Sequence, residues 1–136
     1  MEILNTKRAA EKLLLSITPS IPTSLEGVDF TPPNGQMYQR CQFRIDPPTD
    51  PVFTAGFHRE NIQMQVFIAG LKGEGTGDIL ARAELTRKTF FKGRTLIEDT
   101  TKIHILETAQ IGSILALNDR LIVPVLIPLT AEVYSW

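Results

Sequence analysis

The sequence predicts an α+β fold: a two-layer sandwich in which a mostly antiparallel sheet carries two helices on one face. Three observations point there. Two segments place apolar residues at helical spacing, four alternate apolar and polar residues with the period of a strand, and their order is helix, strand, strand, helix, strand, strand. A chain of 136 residues, 43% of them hydrophobic, has the size of one domain around one core. Residues 1–136 are therefore read as a single domain, with an N-terminal helix over about residues 2–18 and the sheet and second helix over 28–134.

The first helix is read from Ile3, Leu4, Ala10, Leu13, Leu14 and Ile17, with Glu2, Lys7, Arg8, Glu11 and Lys12 on the other face. Pro19 and Pro22 stop it. Val28 to Thr31 is at most a short extended piece, because Pro32 and Pro33 force extended geometry and remove two donors. From Met37 to Asp46 the pattern alternates. Met37, Cys41, Phe43 and Ile45 face one side, with Gln39 the exception, and Tyr38, Arg40, Gln42, Arg44 and Asp46 face the other. The segment DPPTDPV, Asp46 to Val52, is expected to break this strand. A second strand over Asn61 to Ala69, with Ile62, Met64, Val66 and Ile68 inward, would pair with the first as an antiparallel hairpin with a long, stiff loop.

GLKGEGTGD ends that strand, and Asp78 to Phe90 reads as the second helix, its stripe made of Ile79, Leu80, Ala83 and Phe90 with Leu85 beside it. Thr76 or Asp78 suits the N-cap, and an acid there suits the helix dipole. Gly93 closes the segment. Thr101 to Leu106 alternates Ile103 and Ile105 with Lys102 and His104, whereas Ile111 to Asp119 reads as an apolar turn or short helix. Leu121 to Tyr134 is the longest strand pattern, with Leu121, Val123, Val125, Ile127, Leu129, Ala131 and Val133 at period two. Pro124 and Pro128, four residues apart, aim their missing N–H groups to the same side, so this strand is expected at a sheet edge or bulged. Such an edge either discourages indiscriminate pairing or makes a subunit contact through side chains.

Composition limits the function. Fourteen Lys and Arg residues against fifteen Asp and Glu give a formal net charge of -1, and the charges are interspersed. A protein that grips nucleic acid along its backbone carries a basic run instead. The single cysteine, Cys41, allows no internal disulfide and fits a reducing compartment. No apolar run approaches the roughly 20 residues of a membrane helix, and no signal peptide opens the chain. The expectation is a soluble protein made in a cytoplasm, with no membrane partner.

The candidate chemistry is sparse. Gly73, Gly75 and Gly77 lie between a strand and a helix, where a phosphate loop would sit. The spacing is GxGxG, no Gly-Lys-Ser/Thr follows, and Glu74 and Asp78 would repel a phosphate, so a flexible turn is the plainer reading. A small nucleotide-binding enzyme on this turn is the alternative of a different class. His58 with Glu60 can share a strand face, but two ligands are one short of a minimal catalytic metal site. His104 and Glu107 point to opposite faces. Cys41 falls on the apolar side of its strand and reads as a buried small hydrophobe. Tyr38, Phe43 and Arg44 mimic a single-strand binder, yet the two rings alternate onto different faces. No catalytic residue, cofactor site or metal site is assigned.

The ordered set VDFTPPNGQMYQRCQFRID, RENIQMQVFIAGLKGEGTGDILARAELTRKTFFKG and NDRLIVPVLIPLTAEV, spanning about Val28 to Val133, resembles the tail-terminator, or tail-completion, proteins of long-tailed bacteriophages and prophages. The sequence departs from many relatives in Tyr38, where tryptophan is common, and in the apolar run Ile111 to Leu117. The resemblance implies an α+β domain that assembles as a ring, usually a hexamer. Such a ring caps the tail tube, stops its polymerisation and offers the surface on which the head connector docks. Its partners would be further copies of itself, the tail tube protein and a head-completion protein, with DNA only passing through the lumen. Another head-tail connector or minor tail protein is the alternative. Localisation would be the virion tail, assembled in the host cytoplasm. The loops Thr31 to Gln36, with Pro32 and Pro33, and Asp46 to Gly56, with Pro47, Pro48, Val52 and Phe53, would reach neighbours, and Pro124 and Pro128 would mark a further contact. Proline suits such loops because it has already removed the entropy that ordering would cost. Arg40, Arg44, Arg82, Arg87 and Lys88 are expected to be mostly turned toward protein partners or solvent rather than a DNA channel.

Overall fold

The computed structural model describes residues 1–53 and 55–134. It is an α+β fold of two helices and an eight-stranded mixed sheet. The first helix, α1, runs Glu2–Leu15, and the second, α2, Gly77–Thr89. The long strands are β2 (Tyr38–Thr49), β3 (Phe57–Leu71) and β8 (Arg120–Tyr134). Around them lie β1 (Thr23–Ser24), β4 (Thr95–Glu98), β5 (Thr101–His104), β6 (Gln110–Ile111) and β7 (Leu115–Leu117). The main order is β1-β2-β3-β8-β5-β4, with β6 and β7 also pairing β8. The β1–β2 pairing is parallel.

Alternation dictates the core. Ile62, Met64, Val66 and Ile68 on β3 and Val123, Val125, Ile127, Leu129 and Ala131 on β8 are all buried, and the predicted hairpin pairs in antiparallel register from Tyr38↔Ala69 to Asp46↔Asn61. All of these buried residues except Ile62 pack with Ala10 and Leu14 of α1, Ile79 and Ala83 of α2, and Phe90 in one cluster. Removing so many apolar side chains from water, at about 25 cal/mol per Å², is what holds both helices on the sheet.

Several sequence expectations give way. The first helix ends at Leu15 rather than near residue 18, though Ile17 is still buried. Its buried side also starts differently. Ile3 and Leu4 are exposed, while Asn5 donates to Thr101 Oγ1 at 3.0 Å and Thr6 donates to the Glu2 carbonyl at 2.7 Å. Polar residues can occupy that face because each finds a partner. The segment Asp46–Val52 does not end the strand at Asp46: β2 continues through Pro47 and Pro48 to Thr49, with a register shift between Asp46 and Thr49 that absorbs the missing donors. Ile111–Asp119 is not a helix but contributes to the two short strands β6 and β7. The sequence pattern also missed β1 and β4, which are two and four residues long.

The largest correction concerns β8. It is not an edge strand, because it lies between β3 on one side and β5, β6 and β7 on the other. Its register with β3 runs unbroken from Phe57↔Tyr134 to Leu71↔Arg120, through Phe67↔Pro124 and Gln63↔Pro128. Proline fits only because its missing donor faces away from β3. On that other side β7 pairs as far as Ile122, β6 pairs at Val125 and Leu126, and β5 pairs at Thr130 and Ala131. Pro124 and Pro128 fall in the two gaps. They divide one long edge into three short partners.

Candidate functional site, an assembly surface

Two buried arginines explain why the proline segments hold their shape. Arg120, 9% exposed, donates through Nη1 to the Gln36 carbonyl at 2.6 Å and through Nη2 to the Pro33 carbonyl. Its guanidinium lies 5.0 Å from the centroid of the Tyr38 ring, which itself packs on Phe30. The loop Thr31–Gln36 is thereby tied to the start of β8. Arg82, 6% exposed, donates to the Pro19 carbonyl, and burial pushes its guanidinium below the ordinary arginine range. Arg82 is therefore an exception to the expectation that these bases mostly face partners or solvent. Neither arginine has a carboxylate partner among the described residues, so carbonyl dipoles offset the cost of burying the charge. Arg40 and Arg44 are exposed, and Arg44 pairs with Asp46 at 2.8 Å.

The second loop is braced by Asn61, whose Nδ2 donates to the Pro47 carbonyl at 3.0 Å and to Thr49 Oγ1 at 2.7 Å. Pro47 and Pro48 are exposed, and beyond them Val52 and Phe53 are 46% and 108% exposed. An aromatic with that exposure gains nothing from its own fold. The remaining expected pairs resolve simply. His58 Nε2 meets Glu60 Oε1 at 2.8 Å on one face, and both line a cleft of about 620 Å³ with Ile3, Leu4, Phe43 and Ile45. His104 approaches Glu132 at 3.5 Å, not Glu107. Cys41 is buried, which raises its thiol pKa to about 12. In the glycine turn, Gly73 and Gly75 have φ of 98° and 79°, the left-handed conformation that glycine adopts without strain. Thr76 is the N-cap without a side-chain bond, and Asp78 sits in the first turn. Among the described residues no group of three or more His, Cys, Asp and Glu could hold a metal ion, and no helix is long and apolar enough to cross a membrane.

Exposed apolar side chains on proline-containing loops are what these groups leave at the surface. The family model described as phage tail terminator protein matches residues 5–129. The chain belongs to that family. It is a structural family of the phage tail, and the chain is a tail component in that sense. A solved structure superposes on 98% of this tail terminator and 94% of its own chain with a TM-score of 0.69 at 17% identity, a likeness that shows the fold alone. No curated protein matches the chain.

Sequence reasoning missed one feature of this tail terminator. On the sheet face opposite the buried core residues of β2, β3 and β8, Tyr38, Arg40, Phe67, Ala69, Leu117 and Ile122 enclose a groove of about 200 Å³ beside the Pro32–Pro33 loop. It draws on β2, β3, β7 and β8. Only the register puts Leu117 and Ile122 near Tyr38, so no local motif could announce it.

Proposed function

We propose that this tail terminator forms a ring, a hexamer, that caps the tail tube, ends tube polymerisation and presents the surface on which the head joins. Its partners are further copies of itself, the tail tube protein and a head-completion or connector protein, and DNA crosses only the lumen. Assembly takes place in the host cytoplasm. The observation that carries this reading is Phe53, fully exposed beside the half-exposed Val52 on a loop that prolines and Asn61 hold in place. A preorganised apolar tip loses little entropy on docking and can anchor an interface. The reading assigns no catalytic step and no cofactor. It is tested by electron microscopy of particles produced when the protein is depleted: abnormally long or headless tails should accumulate. Tails of normal length joined to heads would overturn the reading, and headless tails of strictly normal length would move the protein to a head-side connector role.

A further inference from the structure

The exposed tip and the newly seen groove lie at opposite ends of the same hairpin. Groove residues Tyr38 and Arg40 open β2, which runs 12 residues to Thr49. At about 3.3 Å per residue the tip residues Val52 and Phe53 lie roughly 30 Å or more from the groove. A tip that far away cannot fill the groove of its own chain. The groove is apolar on Tyr38, Phe67, Leu117 and Ile122, and its volume of about 200 Å³ suits one aromatic side chain. The two surfaces are also complementary in charge. Asp50 stands beside the tip and Arg40 at the groove, both are exposed, and neither has an ion partner among the described residues. The groove wall is firm as well, because Arg120 fixes both Tyr38 and the Pro32–Pro33 loop next to it.

We infer that the occupant of this groove is a second copy of the chain: Phe53 of one protomer enters the groove of the next, with Asp50 meeting Arg40. This rests on the ring reading and deepens it. Because donor tip and acceptor groove are different patches, each protomer that fills its neighbour's groove leaves its own open for another copy. A contact of this head-to-tail kind closes into a ring when the rotation allows. Truncating an anchor of this type at the centre of a contact typically costs tenfold or more in affinity.

The test is light scattering on purified chains, with circular dichroism to confirm folding. Phe53→Asp and Leu117→Asp both alter exposed positions and should each weaken self-association at least about tenfold. Mixed together, they should form one-to-one dimers that grow no further, since one supplies only a groove and the other only a tip. Asp50→Arg should weaken association and Arg40→Asp in the same chain should restore it. A wild-type assembly that persists unchanged with Phe53→Asp and Leu117→Asp would overturn this contact and leave the ring reading standing. A wild-type chain that stays monomeric up to millimolar concentration would overturn both.

Discussion

Gly70 faces Ile79 so closely that a Cβ added to it would stand 2.3 Å from Ile79 Cγ2, inside any permitted contact. The glycine has an ordinary φ, so its role is space rather than backbone freedom: it lets α2 settle onto the end of β3. Gly70→Ala should therefore destabilise by about 1–3 kcal/mol through overpacking, and Ile79→Ala by about 2–5 kcal/mol through the cavity it leaves. Combined, the two should cost clearly less than their sum in urea denaturation, because each relieves the other's defect. Strict additivity would show that the two sites do not touch. In the sequence Gly70 reads only as the start of a glycine-rich turn, since the side chain that needs its space comes from another element. Arg82 and Arg120 were illegible for the same reason. Their charge argues for the surface, and only the tertiary fold supplies the carbonyl oxygens that hold them inside.

At the level of elements, periodicity served where a strand or helix buries one face against a continuous partner. β8 shows it best, alternating from Val123 to Val133, and β3 alternates from Ile62 to Ile68. Periodicity failed for β6 and β7, which are defined by what they pair with and not by any pattern of their own. It also misjudged β8, because prolines that would mark an edge here divide the strand's second side among short partners. One polar clamp links separate elements. The Glu26 carboxylate accepts the Phe43 N–H on β2 at 3.1 Å and the Lys7 ammonium on α1 at 2.9 Å, and these two bonds, in that order of effect, hold its pKa below the ordinary carboxylate value. A folded-state pKa below the unfolded one stabilises the fold above the unfolded value, and that contribution fades as pH falls through the folded value. Glu26→Gln should thus lower the melting temperature near neutral pH, and the gap from wild type should close as the solution is acidified past the carboxylate range. A gap that is constant with pH would show that the clamp's ionisation contributes nothing.

At the scale of the whole molecule, six of the chain's fourteen basic residues are committed within its own fold. Arg82 and Arg120 are buried on carbonyl oxygens, Arg44 pairs with Asp46, Lys7 with Glu26 and Lys12 with Glu98, while Arg94 donates to the Thr89 carbonyl. The others are offset by the chain's fifteen acidic residues, for a formal net charge of -1, so the proposed ring has no excess of positive charge to turn toward a channel. That would suit the DNA passage proposed above, because each phosphate neutralised by a base adds affinity and about 0.9 to the slope of log affinity against log salt on duplex DNA. The assembled ring is accordingly expected to show no salt-sensitive affinity for duplex DNA when titrated by fluorescence anisotropy at two ionic strengths. Raising the salt should leave the signal flat. Tight binding that collapses with salt would mean that several bases converge on the lumen, and would overturn the expectation that they face protein partners or solvent.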